Sequence, residues 1–182
     1  GKISIGIQPC NENSEARLGV IDVDPTDYDD FNKKFFIDVI QDYDLPLIPI
    51  ESKSGGLHLC LFMDQFTDAT AVKSFLTNLL PLFKLKPSNE IFPKQTELTR
   101  DEETEKLKPG QFINLPYYGD KRRALNVDGT PFELDKFLEV VEANLVSKGQ
   151  LEIITANIDK KIYEGTDSDL MDGPPCLADI SK

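Results

Sequence analysis

The tetrapeptide IDVD at residues 21–24 sets Asp22 and Asp24 two positions apart in an apolar run. In a strand, side chains two apart leave the same face, so both carboxylates point one way while Ile21 and Val23 turn the other. Paired carboxylates repel unless a cation lies between them. Oxygen ligands of this kind hold hard divalent ions whose shells are completed by water and substrate phosphates. The alternative for a lone DxD is a strand end carrying two solvated acids.

The segment SKSGGLH, residues 52–58, holds the chain's one histidine, His58. Gly55 and Gly56 would let the backbone approach a ligand closely and present its amides. Ser52, Lys53, Ser54 and His58 would add hydroxyl, ammonium and imidazole donors. These are the parts of a triphosphate cradle, and equally those of a hairpin turn closed by a glycine pair with His58 hydrogen-bonded at its rim. Glu90, in EIFPKQ, would supply a third carboxylate, and Lys94 of the same segment could reach a phosphate. Taken alone, such a glutamate is more often a surface residue. Asn114 in INLPYYG and the pair Arg122–Arg123 add polar and cationic groups. Arginine grips phosphate through paired hydrogen bonds, although most KRR triplets are simply solvated.

These residues need a scaffold, and the patterning predicts an α+β layer with helices on a mixed or antiparallel sheet. Residues 2–7 alternate as a strand, and PCNENSEA reads as the turn of a hairpin leading into LGVIDVD. From Asp27, the residues Tyr28, Phe31, Phe35, Val39 and Ile40 recur at helical spacing, ending near Tyr43. LPLIPI, with two prolines, suits a short extended segment or an edge strand, and LHLCLF a further strand. Thr67 or Asp68 is the expected cap of a helix with Ala69, Val72, Phe75, Leu76 and Leu79 as its apolar stripe and Pro81 near its end. TRDEETEKLKPG reads as a solvated loop, QFINLPYYG as extended. A DGT turn at 128–130 precedes a helix carrying Phe137, Leu138, Val141 and Leu145. Composition then changes: residues 1–148 read as one domain whose N-terminus is expected to be truncated. Residues 149–182 read as a linker and the start of a further region.

The chain's 182 residues suffice for a real core, and 40% apolar with 29% charged residues fits a soluble globular class. No apolar run approaches the ~20 residues of a membrane span, and no signal-peptide pattern opens the chain. Cys10, Cys60 and Cys176 lack metal-ligand spacing and read as free thiols of a reducing cytoplasm, Cys60 within the core. The net charge of −12 argues against a general coat for nucleic acid, which would be basic. It is compatible with an enzyme that meets nucleotide phosphates through carboxylate-held metals.

In combination, DxD on a strand, Ser54-x-x-x-His58 and a downstream carboxylate resemble the three-motif catalytic set of the archaeo-eukaryotic primase superfamily. IDVD, LPLIPIESKSGGLHLCLF, EIFPKQ, INLPYYG and DGPPCL look like the primase-polymerase domains of phage, mobile-element and conflict-system proteins, over nearly the whole chain. Where family members often carry a Trp before INLPY, this chain has Phe112. The resemblance implies a catalytic core with an RRM-like sheet and two Mg²⁺ or Mn²⁺ ions on Asp22, Asp24 and Glu90. It implies that Ser54 and His58, assisted by Lys53, bind the phosphates of the incoming nucleotide, with Lys94, Asn114 and Arg123 as further nucleotide or template contacts. The implied activity is that of a DNA primase or DNA polymerase. Its partners would be a single-stranded DNA template, ribo- or deoxyribonucleoside triphosphates and a fused or separate helicase, in the cytoplasm of a bacterial or phage-infected cell. The rival readings are a metal-dependent nuclease or other phosphotransferase, an inactive nucleotide- or nucleic-acid-binding module and a non-enzymatic interaction domain.

Overall fold

A computed structural model describes residues 5–118 and 121–169, with side chains described as far as Ile158 and at Lys160. Its centre is a β-α-β-β-α-β run: β2 (Glu15–Val23), α1 (Lys33–Asp42), β3 (Leu47–Glu51), β4 (Leu57–Asp68), α2 (Ala69–Leu79) and β5 (Glu90–Phe92). The four strands lie in the order β3-β4-β2-β5, each antiparallel to its neighbour. Two short strands, β1 (Gly6–Ile7) and β6 (Ile113–Asn114), pair separately, and helices α3 (Leu134–Ala143) and α4 (Lys148–Asp169) follow.

Alternation divides the sheet into two working faces. Ile21 and Val23 of β2, with Leu57, Leu59 and Leu61 of β4, point down into a core shared with Phe36, Val72, Phe75, Leu76 and Leu79 of α1 and α2. The α2 helix sits so close that a Cβ on Gly19 would meet Val72 Cγ1 at 2.7 Å and Leu76 Cδ1 at 2.8 Å. On the upper face, Val20, Ile48, Ile50, Cys60 and Phe92 form a second core with Ile113, Ala124 and Phe137. Asp22, His58 and Glu90 share this upper face.

Local signals explain the element ends. The Asp68 carboxylate accepts the Ala71 N–H and starts α2, whose five expected stripe residues are all buried. The first helix begins later than its aromatic spacing suggests. Pro25–Asp27 form a separate 3-10 turn, and Asn32 then caps α1 by accepting from Lys34 N. Proline fits the opening of a turn, and the fresh cap lets the chain restart in a new direction. β3 is an edge strand as expected, where Pro49 costs no shared donor, and its carbonyl accepts the Leu125 N–H at 2.8 Å.

The predicted β1–β2 hairpin does not form. β1 pairs with β6, and the segments are joined through a lone bridge between Cys10 and Ala16. Asn11 closes the turn early by accepting from the Asn13 and Glu15 amides, with Ser14 at φ 61°, so the chain turns before a longer ladder can grow. The acidic loop is irregular, with one bridge between Arg100 and Leu107. At 128–130 the Asp128 carboxylate accepts from both the Thr130 amide and hydroxyl, and Gly129 takes φ 83°. Leu145 lies past the end of α3. Where composition suggested a linker, residues 148–169 are helical. DGPPCL and Cys176 lie outside the described residues, and Cys10 and Cys60 are buried free thiols. Among the described residues, no helix is long and apolar enough to cross a membrane.

Candidate active site

Strand register brings three motifs into one row. In the β2–β4 pairing Asp22 stands directly opposite His58, and in the β2–β5 pairing Asp22 stands opposite Glu90. Directly opposed residues of antiparallel strands share a face with Cβ atoms about 5 Å apart. His58, Asp22 and Glu90 therefore run side by side across the upper face, with Ile50 beyond His58 on β3. His58 is 5% exposed, and its Nε2 lies 3.4 Å from Asp22 Oδ1. The Asp22 charge is also felt by Cys60, whose thiol is pushed up mainly by burial and further by this carboxylate.

Asp24 extends the row along β2. Its backbone is still extended (φ −85°, ψ 126°), so it keeps the face of Asp22, but its carboxylate caps the 3-10 turn. Oδ1 accepts the Thr26 amide and hydroxyl, each at 2.9 Å, and these bonds hold Asp24 below the usual carboxylate range. Glu90 turns toward Lys94, Oε1 to Nζ 2.7 Å, while Lys94 also lies over the Phe92 ring.

The three carboxylates thus occupy neighbouring backbone positions but are not drawn together. Among the described residues, no group of three or more His, Cys, Asp or Glu side chains is gathered as a metal cluster. The donor set itself, carboxylate oxygens on one face with Asp22 at its centre, suits a hard divalent cation. Gathering it requires Glu90 to leave Lys94 and Asp24 to leave Thr26.

Ser52 to Gly56 form the β3–β4 turn beside the end of β2. Ser52 N donates to Gly56 O, Gly56 N donates to Ser52 Oγ at 3.0 Å, and Ser52 Oγ contacts Ser54 Oγ at 2.9 Å. The glycine amides, expected to be open to a ligand, are instead bonded inside the turn: Gly55 N donates to Ser52 O. The two glycines serve the turn differently. Gly55 adopts φ 90° with open space around it, whereas a Cβ on Gly56 would lie 2.1 Å from Val23 O. Lys53, Ser54 and Gly55 are exposed at the tip, leaving hydroxyl and ammonium groups as the donors beside His58.

Asn114 and Arg123 are set apart from this row. Asn114 pairs with Gly6 in the small sheet and lines a cavity of about 470 Å³ that also reaches His58. Arg123 lies at the β3 edge, where its carbonyl accepts the Glu51 amide and its NH1 lies 3.0 Å from Glu133 Oε1. Two residues outside the expected site, Asn89 and Tyr28 (the latter expected only as part of a helical stripe), hold the row in place. Asn89 Nδ2 donates to Asp22 O at 2.9 Å, and Tyr28 Oη bonds Asn89 Oδ1 at 2.9 Å. Asn89 directly precedes Glu90, but no local pattern marks it, because its partner is a backbone oxygen on another strand.

The matching family model, described as the archaeo-eukaryotic primase domain of the TOTE conflict system, covers residues 1–133. The chain belongs to that family, and with it to the primase class of nucleotidyltransferase-type domains, which generally depend on divalent metal. A comparison with curated proteins found no match.

Proposed function

We propose that this domain is a template-directed nucleotidyltransferase, a DNA primase, a DNA polymerase or both, built on an RRM-like core. The β-α-β-β-α-β order with strands arranged β3-β4-β2-β5 supports such a core. The observation that carries the activity is the His58–Asp22–Glu90 row, which sets an imidazole beside carboxylates on one solvent-reaching sheet face.

In this reading Asp22, Asp24 and Glu90 would hold two Mg²⁺ or Mn²⁺ ions. When bound, such ions lower the pKa of an attacking 3′-hydroxyl and offset charge developing on the α-phosphate. His58 would be a phosphate ligand, its Nε2 exchanging the Asp22 oxygen 3.4 Å away for a phosphate oxygen. Ser54 and Lys53 at the turn's tip add donors, and Ser52 keeps the turn shaped. Lys94, paired with Glu90 at 2.7 Å, would exchange that carboxylate for a phosphate oxygen. The substrates are ribo- or deoxyribonucleoside triphosphates and a single-stranded DNA template, with a fused or separate helicase as partner. Arg123 and Asn114 would serve as outlying template or nucleotide contacts.

The test is incubation with single-stranded template, labelled nucleotides and Mg²⁺ or Mn²⁺, with and without primer, alongside Asp22→Ala. Template-dependent products lost in the variant are expected. Template cleavage without nucleotide would point to a nuclease, and wild-type synthesis by Asp22→Ala would remove the metal assignment.

A further inference from the structure

The cavity of about 470 Å³ falls within the range of small-molecule sites, and it begins at the residue where the row of charges ends. Its floor is the upper face of β2 and β4, with Val20, Cys60 and Phe62 following His58. Tyr117 and Phe137 stack at 4.9 Å between centroids, and Phe62 meets Phe137 edge-on at 6.2 Å, so an aromatic wall closes the far end. Tyr117 Oη donates to Phe132 O and accepts the Ala124 amide. What the tyrosine offers the chamber is therefore its ring rather than a free hydroxyl. Its backbone stands at φ 59°, strained for a bulky residue, and the surroundings hold it there.

The upper face of β4 thus presents in sequence a turn of hydroxyl and ammonium donors, an imidazole and an aromatic chamber. His58 and Phe62 are separated by about 13 Å at ~3.3 Å per residue. A nucleoside triphosphate has the same order of chemistry, from anion to flat ring. We infer that the chamber seats the nucleoside half of the nucleotide, its base packed on the Phe62–Tyr117–Phe137 wall. This rests on the reading above that His58 and the 52–56 turn take the triphosphate. Leu138, 51% exposed, and Tyr118 stand at the open mouth, so a seated base keeps an edge accessible to a template. Walls this poor in polar atoms hold purines and pyrimidines alike, which leaves base identity to be read by the template.

The chain contains no tryptophan, so Leu138→Trp places a single indole at the mouth. With Mg²⁺ present, ATP and CTP should each change its emission saturably. Inorganic tripolyphosphate should compete with them while leaving the emission unchanged. By calorimetry ATP should bind about tenfold tighter than tripolyphosphate, the gain expected from stacking one base. Leu138→Gln should narrow that ratio without altering tripolyphosphate affinity. Equal affinities for the two ligands, or an indole that responds to both alike, would overturn the chamber assignment and leave the phosphate site standing. If neither ligand binds, the phosphate site falls and the inference falls with it.

Discussion

Asn89 ties the β5 approach to Asp22: its amide donates to the Asp22 carbonyl at 2.9 Å while Tyr28 Oη holds its other end. The bond spans the two strands that carry Asp22 and Glu90, so it fixes their separation from outside the row. Asn89→Ala should therefore weaken divalent-metal and nucleotide binding about tenfold while costing only about 2 kcal/mol of stability, about 1 kcal/mol for each of these two hydrogen bonds. Titration calorimetry beside thermal melts checks this. Tyr28→Phe should show a smaller loss in the same direction, and equal losses of binding and stability would mean general unfolding instead.

Lys94 competes for Glu90. Lys94→Met should raise Mn²⁺ affinity in the absence of nucleotide, because the 2.7 Å pair no longer holds the carboxylate. The pair is solvent-exposed, so the gain should be no more than about fivefold, matching the ≤ ~1 kcal/mol of surface pairs. Paramagnetic resonance of free Mn²⁺ gives the number. The same variant should bind nucleotide less well.

The adjacent glycines should respond unequally. Gly55→Ala meets open space and should cost about 1–2 kcal/mol from its left-handed backbone alone. Gly56→Ala drives a Cβ into Val23 O and Pro25 Cδ, so it should cost more, about 3 kcal/mol or beyond. It should also disturb the Asp22–His58 pairing. Urea titrations rank the two, and the reverse order would show that the turn is packed differently.

Burial raises the Tyr117 phenol above its ordinary range, more than the Ala124 amide and Arg123 lower it. The neutral phenol is therefore favoured in the folded state. Its contribution is full below the pKa of an unfolded tyrosine, near 10.0, and fades as pH rises through the higher folded value. Wild type should be more stable than Tyr117→Phe at neutral pH, with the gap closing above pH about 10. Denaturation at a series of alkaline pH values would reveal a constant gap if the phenol were unperturbed.

Much of the sheet is legible in the chain because period-two alternation and helical stripes encode burial directly: Ile21 and Val23 against Asp22, and Val72 through Leu79 along α2. The closeness of Asp22 to Glu90 is not encoded locally, since register between distant strands depends on packing that no single segment displays. For the same reason the β1–β2 hairpin was a reasonable expectation and still fails, because β6 offers β1 a partner from far along the chain. The chamber was hidden too. Its walls come from a strand, an extended stretch and a helix that share no local pattern, and only the fold brings Phe62, Tyr117 and Phe137 together.

Asp22 is mid-sheet in a strand whose alternate residues seal the lower core. One residue inserted between Leu18 and Asp22 would rotate acids into oil and branched aliphatics into solvent, erasing site and core together. The exposed tip at Glu102–Thr104 carries no such phase constraint. An affinity tag or reporter peptide spliced there should leave folding intact, giving engineers a handle outside the strands.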